Sequence, residues 1–217
     1  MTGECRMRSM GQISTHAGTT KPIESCAQGY PDRRMLLKTV LAAGLALTTH
    51  GSAHAEPDAK NPKNMRPQPG DHFVYFSGDK DGMEVKPEDL QRDHAPILAW
   101  AMEPNTKTVR DGSRLNQVLL VRLEPADLDE ATKPHAADGI VAYSAICTHQ
   151  QCPVAGWIAE TRVLLCACHQ SEFDPRKNAK VVGGPAPHAL AALPLKIEGG
   201  ALIAAGTFLG RVGARPG

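Results

Sequence analysis

Residues 147–173 read CTHQQCPVAGWIAETRVLLCACHQSEF and concentrate the metal-binding chemistry of the chain. Two short boxes stand out. Cys147-Thr148-His149-Gln150-Gln151-Cys152 is the first and Cys166-Ala167-Cys168-His169 the second. Each offers one thiol with one imidazole, Cys147 with His149 and Cys166 with His169, and each adds a further cysteine. Two thiolates and two imidazoles suit a [2Fe–2S] cluster in which one iron takes sulfur ligands and the other nitrogen ligands. Two simpler arrangements use some of the same residues. Zinc would accept two sulfurs and two nitrogens, but its paired ligands usually enclose two to four residues. Cys147 and His149 enclose only Thr148, and zinc leaves Cys152 and Cys168 without a role. A plain disulfide framework occupies all four cysteines and leaves the histidines unexplained.

The boxes need rigid strands to hold them at one end of a domain. From Asp71 the chain shows short apolar runs broken by turn residues. Residues 73–76, 97–102, 117–123 and 140–146 read as strands, the last delivering the chain into the first box. Residues 193–197 and 201–204 flank Glu198-Gly199-Gly200 and read as a hairpin. Proline near the start predicts a helical turn at 86–90 and a short helix over 125–132. The C-terminal GTFLGRVGARPG reads as a closing strand with a loose end. The expected fold class is all-β, an antiparallel sandwich or barrel. His72, His94, His135 and His188 are scattered and read as surface or loop histidines. Trp157, between the boxes, reads as core filling.

The N-terminal quarter has a different texture. Residues 1–55 carry 6 Lys/Arg against 3 Asp/Glu, while residues 56–217 carry 18 against 20. The slightly acidic remainder gives no support for nucleic-acid binding, which needs a basic face. Arg33-Arg34 precedes an apolar run from Thr39 to Thr49, and Ala53-His54-Ala55 supplies the small residues of a cleavage site. This pattern resembles a twin-arginine export signal. It predicts use of the twin-arginine export machinery, a periplasmic location, and membrane association only if the signal stays attached. The run is too short for the roughly 20 apolar residues of a spanning helix. Cys5 and Cys26 lie in this extension and receive no role. Residues 56–70, EPDAKNPKNMRPQPG, are proline-rich and read as an extended, solvated linker. The domain proper is expected over 71–217.

The two boxes resemble those of the Rieske family. The resemblance continues into Gly183-Gly184-Pro185-Ala186-Pro187, similar to the family's proline loop over the cluster, and covers about residues 141–190. It implies a base domain with an inserted small cluster-binding lobe at about 143–188. It implies that Cys147 and Cys166 bind the inner iron and that His149 and His169 bind the outer one. It also implies a Cys152–Cys168 disulfide. That pair, and the 48 residues left after His169, make the chain resemble the high-potential branch rather than the ring-hydroxylating oxygenases. Three positions depart from the family's habit. Gln150-Gln151 stand where an apolar residue and glycine are usual, Gln170 where glycine is common, and Phe173 where the cytochrome bc branch commonly has tyrosine. Ser171 keeps a hydroxyl for a cluster sulfide, whereas Phe173 has none to give, so a moderated potential is expected.

The resemblance implies an electron-transfer subunit with no turnover of its own. The expected setting is an arsenite-oxidase-type complex. There a catalytic large subunit, a molybdenum enzyme, donates the electron and a c-type cytochrome or copper protein accepts it. The alternative is the quinol-oxidising subunit of a cytochrome bc-type complex. A zinc- or disulfide-stabilised module without redox chemistry is the remote third reading.

Overall fold

The computed structural model describes residues 61–214. The expected export signal, Cys5, Cys26 and the first residues of the linker lie outside the described residues. Among those described there is no α-helix, only twelve short strands and six single 3-10 turns. None of their helices is long and apolar enough to cross a membrane.

The base is a sheet of β1 (His72–Tyr75), β2 (Ile97–Glu103), β3 (Thr108–Val109), β4 (Val118–Arg122), β5 (Ile140–Ser144) and β10 (Ala192–Leu193). It runs antiparallel in the order β1-β2-β4-β5-β10, with β3 on β2. The hairpin β11 (Leu195–Glu198) and β12 (Ala201–Ala204) follows β10. Gly70 N donates to Ala204 O and Ala204 N to Asp71 O, both at 2.9 Å, which returns β12 to the start of β1 and closes a barrel. A second sheet, β6 (Gly156–Ile158), β7 (Val163–Cys166), β8 (Ser171–Asp174) and β9 (Lys180–Gly183), forms the lobe. The all-β base with an inserted lobe is the architecture expected.

The unbroken apolar texture of β4 and β5 has a physical cause. Both strands are buried on both faces, which removes the polar alternation of a half-solvated strand. Val118, Leu120, Ile140 and Ala142 fill the barrel with Phe73, Leu193 and Leu202. Leu119, Val121, Val141 and Tyr143 face the other way, into a core shared with Leu164 and Phe173 of the lobe. Fully burying a side chain such as Leu119 contributes about 1.5–3 kcal/mol. The lobe is therefore seated on the outer wall of the barrel by apolar contact. Polar ties add direction. Tyr143 donates its hydroxyl to Pro175 O at 2.7 Å, and Arg162, in the β6–β7 turn, reaches Asp127 at 2.7 Å and Asp93 at 3.3 Å.

Three expectations are corrected. Residues 125–132 form one 3-10 turn at Pro125–Asp127 with a second at Lys133–His135, not a helix. A proline at the first position starts a turn, but no apolar 3.6-residue repeat follows to bury a longer one. The C-terminal segment forms no closing strand; Leu209 makes a single bridge to Ala192. The described part of the linker is not a solvated tail. Asn116 donates Nδ2 to Met65 O at 2.8 Å, Gly112 N donates to Lys63 O at 3.0 Å, and Pro67 is buried.

Candidate metal centre

β5 carries the chain to Ile146, and the first box then closes on itself. Cys147 N donates to Cys152 O at 2.8 Å and Gln151 N to Cys147 O at 3.0 Å. The second box is the turn between β7 and β8, flanked by the Cys166–Ser171 pair. Both loops turn through a left-handed residue, Gln151 at φ 58° and Gln170 at φ 57°. These are two of the positions that depart from the glycines usual in the family. Each glutamine side chain is anchored. Arg114 donates to Gln151 Oε1 at 3.3 Å and to its carbonyl at 2.8 Å, and Gln170 Nε2 donates to Ala167 O at 3.1 Å.

The structure brings the expected residues together. Cys147 and Cys166 are free thiols, each about 1% exposed. Burial pushes the Cys166 thiol up, and the adjacent Cys147 side chain adds to the shift. A metal would have to displace protons from this buried pair. The His149 and His169 rings lie 4.8 Å apart, nearly perpendicular at 86°. His169 is exposed and His149 half-buried. Cys152 and Cys168 form a disulfide with Cα atoms 6.5 Å apart, as the resemblance implied. The sulfurs of Cys152, Cys166 and Cys168 all fall within 4.8 Å of one another. A disulfide sulfur carries no thiolate, so of those three only Cys166 has a ligand to offer.

The third segment covers the two boxes. Gly184 has φ 75°, and a Cβ there would lie 2.4 Å from Gln170 O and 2.6 Å from Ser171 Cα. Only glycine fits the conformation and the close approach together. Ala186 is buried in the lobe core while Pro185 and Pro187 stay exposed. Thr148 ties the first box to the end of this loop by donating its hydroxyl to His188 O at 2.6 Å. Residue-type reasoning passed over Thr148, because nothing local marks a threonine as a bridge across 40 positions. Gln150 is exposed. Trp157, Leu164, Phe173 and Val181 stand opposite one another across the lobe sheet, so Trp157 is core filling. Of the scattered histidines, His72 pairs with Glu84 at 2.5 Å and His94 contacts Arg92 O.

The residues present fit a cluster. A buried hydroxyl or imidazole nitrogen without a partner costs about 1–3 kcal/mol, and both Ser171 Oγ and His149 Nδ1 are buried without one. Each suits an atom of a bound group. The donor set, two inward sulfurs and two outward imidazoles, has the asymmetry that a cluster with one sulfur-bound and one nitrogen-bound iron demands.

The comparisons agree. Residues 102–194 match the family described as the Rieske [2Fe-2S] domain. The cytochrome bc1 complex Rieske iron-sulfur subunit of Corynebacterium glutamicum is 42% identical over 104 residues, covering 45% of this chain and 26% of that protein. The subunit of the same name from Streptomyces lividans is 43% identical over 98 residues, covering 44% and 58%. The chain thus spans about a quarter of the first relative and just over half of the second. Among solved structures, the plasma membrane Rieske protein of Synechocystis PCC 6803 is 27% identical with a TM-score of 0.30, covering 41% of this chain and 75% of that one. Two boxes joined by a disulfide, a glycine-dependent covering loop and the family match over 102–194 converge: this chain carries a Rieske domain, and that domain binds a [2Fe–2S] cluster.

Proposed function

We propose that the chain is the electron-transfer subunit of a cytochrome bc-type complex. The observation that carries the reading is the pairing of two buried, adjacent thiols with two imidazoles at the lobe surface, in a domain whose relatives include cytochrome bc1 Rieske subunits. Cys147 and Cys166 hold the inner iron, and His149 and His169 the outer. When bound, the cluster supplies a site that gains and loses one electron. The chain's own residues set the terms. Leu164, Phe173, Val154 and Ala186 exclude water from the sulfur side. The Cys152–Cys168 disulfide and the Thr148 bridge fix the two boxes against each other. His169, the more exposed imidazole, offers the ring through which a quinol hydroxyl would be recognised. In this reading the subunit is exported by the twin-arginine machinery and works on the periplasmic side. It passes electrons to a c-type cytochrome or a copper protein.

A second reading is kept because Phe173 stands where the cytochrome bc branch commonly has tyrosine. It makes the chain the small subunit of a molybdenum oxidoreductase of the arsenite-oxidase type. Affinity isolation of the tagged full chain from membrane and periplasmic fractions tests both. Co-isolation of b- and c-type haem proteins is expected; isolation of a molybdenum protein without b-type haem would replace the first reading by the second. An electron paramagnetic resonance spectrum without a reduced [2Fe–2S] signal would remove both.

A further inference from the structure

The arginines of the described residues fall into two groups. Arg92, Arg110, Arg122, Arg162 and Arg176 each reach a carboxylate. Arg66, Arg114 and Arg211 reach none, and all three gather around Gln151 of the first box. Arg114 holds Gln151 directly at 2.8 Å. Arg66 and Arg211 line, with Gln151, Gln68, Leu115 and Phe208, a cavity of about 640 Å³ between the N-terminal arm and the C-terminal segment. A neighbouring cavity of about 600 Å³ shares Gly210 and Arg211 and adds Thr148 and His188. No aspartate or glutamate lines either space.

Arg66 is half-buried and directs Nη1 at Leu115 O and Asn116 Oδ1, neutral acceptors that leave its charge uncompensated. Burial accordingly pushes its guanidinium down. Arg211 has no hydrogen-bond or ion-pair partner among the described residues. Guanidinium groups are planar, permanently charged donors whose geometry matches oxyanions. Arg66 is half-buried and Arg211 is exposed at the cavity rim, so an oxyanion entering the space meets two guanidinium groups with no competing carboxylate and gains charge-assisted hydrogen bonds from them.

We propose that the 640 Å³ cavity is a binding site for a phosphate-type oxyanion, with Arg211 and Arg66 as its donors. The space exceeds what inorganic phosphate fills and lies in the range of small-molecule sites, so a phosphate ester is the better occupant. The site adjoins the first box through Gln151, and neither His149 nor His169 lines it.

Isothermal titration calorimetry of the cluster-loaded full chain tests this, with inorganic phosphate and glycerol 3-phosphate as probes at constant ionic strength. Saturable binding is expected, with the ester at least as tight as phosphate. Losing one charge-assisted hydrogen bond costs about 1.5–3 kcal/mol, so Arg211→Gln should weaken binding at least about tenfold. Arg92→Gln, whose guanidinium pairs with Glu124 and lines neither cavity, should not. Arg211→Gln is the deciding variant because that side chain makes no hydrogen bond or ion pair among the described residues. Absence of saturable heat, binding that survives Arg211→Gln, or equal loss in Arg92→Gln would overturn the proposal.

Discussion

Ser171 and Phe173 share the face of β8 that looks into the core containing Cys147 and Cys166, and only one of them carries a donor. Donors to sulfur stabilise the more negative reduced cluster and so raise its potential. A hydrogen bond to a charged group is worth about 1.5–3 kcal/mol. At about 59 mV per 1.4 kcal/mol for one electron, that sets a ceiling of roughly 60–130 mV. Phe173→Tyr should therefore raise the potential within that ceiling, and Ser171→Ala should lower it. Protein-film voltammetry of the three proteins reads both; an unchanged or lower value in Phe173→Tyr would sink the argument. At this scale most of the site was legible. Ligand chemistry restricts residue type so tightly that two thiols and two imidazoles at these spacings leave few choices. Gln151 and Gln170 were not legible as left-handed residues, because that conformation costs a non-glycine residue roughly 1–2 kcal/mol and is normally signalled by glycine. Here Arg114 and Ala167 O supply contacts that offset it, and Arg114 lies 37 positions from its partner.

The lobe owes its seat to apolar burial rather than to ion pairs. Arg162 and its partners Asp93 and Asp127 are about one-third exposed, and pairs of that kind contribute about 0–1 kcal/mol. One covalent tie matters more. The Cys152–Cys168 disulfide closes a loop with a sequence separation of 16, for which chain entropy gives about 3 kcal/mol. Guanidinium unfolding of the cluster-free protein should show about that loss in the Cys152→Ala/Cys168→Ala variant; a loss under 1 kcal/mol would mean the boxes are held by the lobe core alone. A pH-sensitive element lies at the C-terminal end of β2. Glu103 ends β2 and accepts hydrogen bonds from Asn105 N at 3.0 Å and Thr106 N at 2.6 Å. Led by the Thr106 hydroxyl and amide, these hold its carboxyl down at about 2, from 4.5. A depressed folded value means the contribution is complete above about 4.5 and is lost as the pH falls towards about 2. Stability followed by circular dichroism should decline across that window, and Glu103→Gln should flatten the decline. A parallel slope in the variant would assign it to other carboxylates. The strands themselves were readable because β4 and β5 are apolar on both faces. The turns at Pro125 and Lys133 were over-read as a helix, since proline marks a start and says nothing about length.

At the scale of the molecule, the barrel is closed by contacts that local composition cannot show. The proline-rich arm reads as solvated, yet residues 61–70 are tied down by Arg110, Gly112 and Asn116, some 50 positions away. The tie centres on Asp71 and Arg110. Arg110 donates Nε to Asp71 Oδ2 at 2.5 Å and Nη2 to Oδ1 at 2.8 Å, with side chains 6% and 2% exposed. Gln68 N adds a third donor to Asp71 at 2.7 Å, and Arg110 Nη1 reaches Pro62 O at 3.2 Å. The hydrogen bonds to Asp71 raise the Arg110 guanidinium further, so the arginine stays charged throughout the range in which the protein is folded. Desolvating two charges consumes much of their mutual attraction, so such a pair adds little relative to apolar residues of the same shape. Breaking it is another matter, because a buried arginine is then left without its counter-charge, at about 3–5 kcal/mol. Asp71→Asn should therefore cost about that much in equilibrium unfolding and loosen the arm, read as faster amide exchange at Gly70 and Ala204, where the barrel closes. Asp71→Leu with Arg110→Met removes both charges and should recover most of the loss. If Asp71→Asn cost under 1 kcal/mol, or if the double replacement cost as much as the single one, the pair would not be what holds the arm to the barrel.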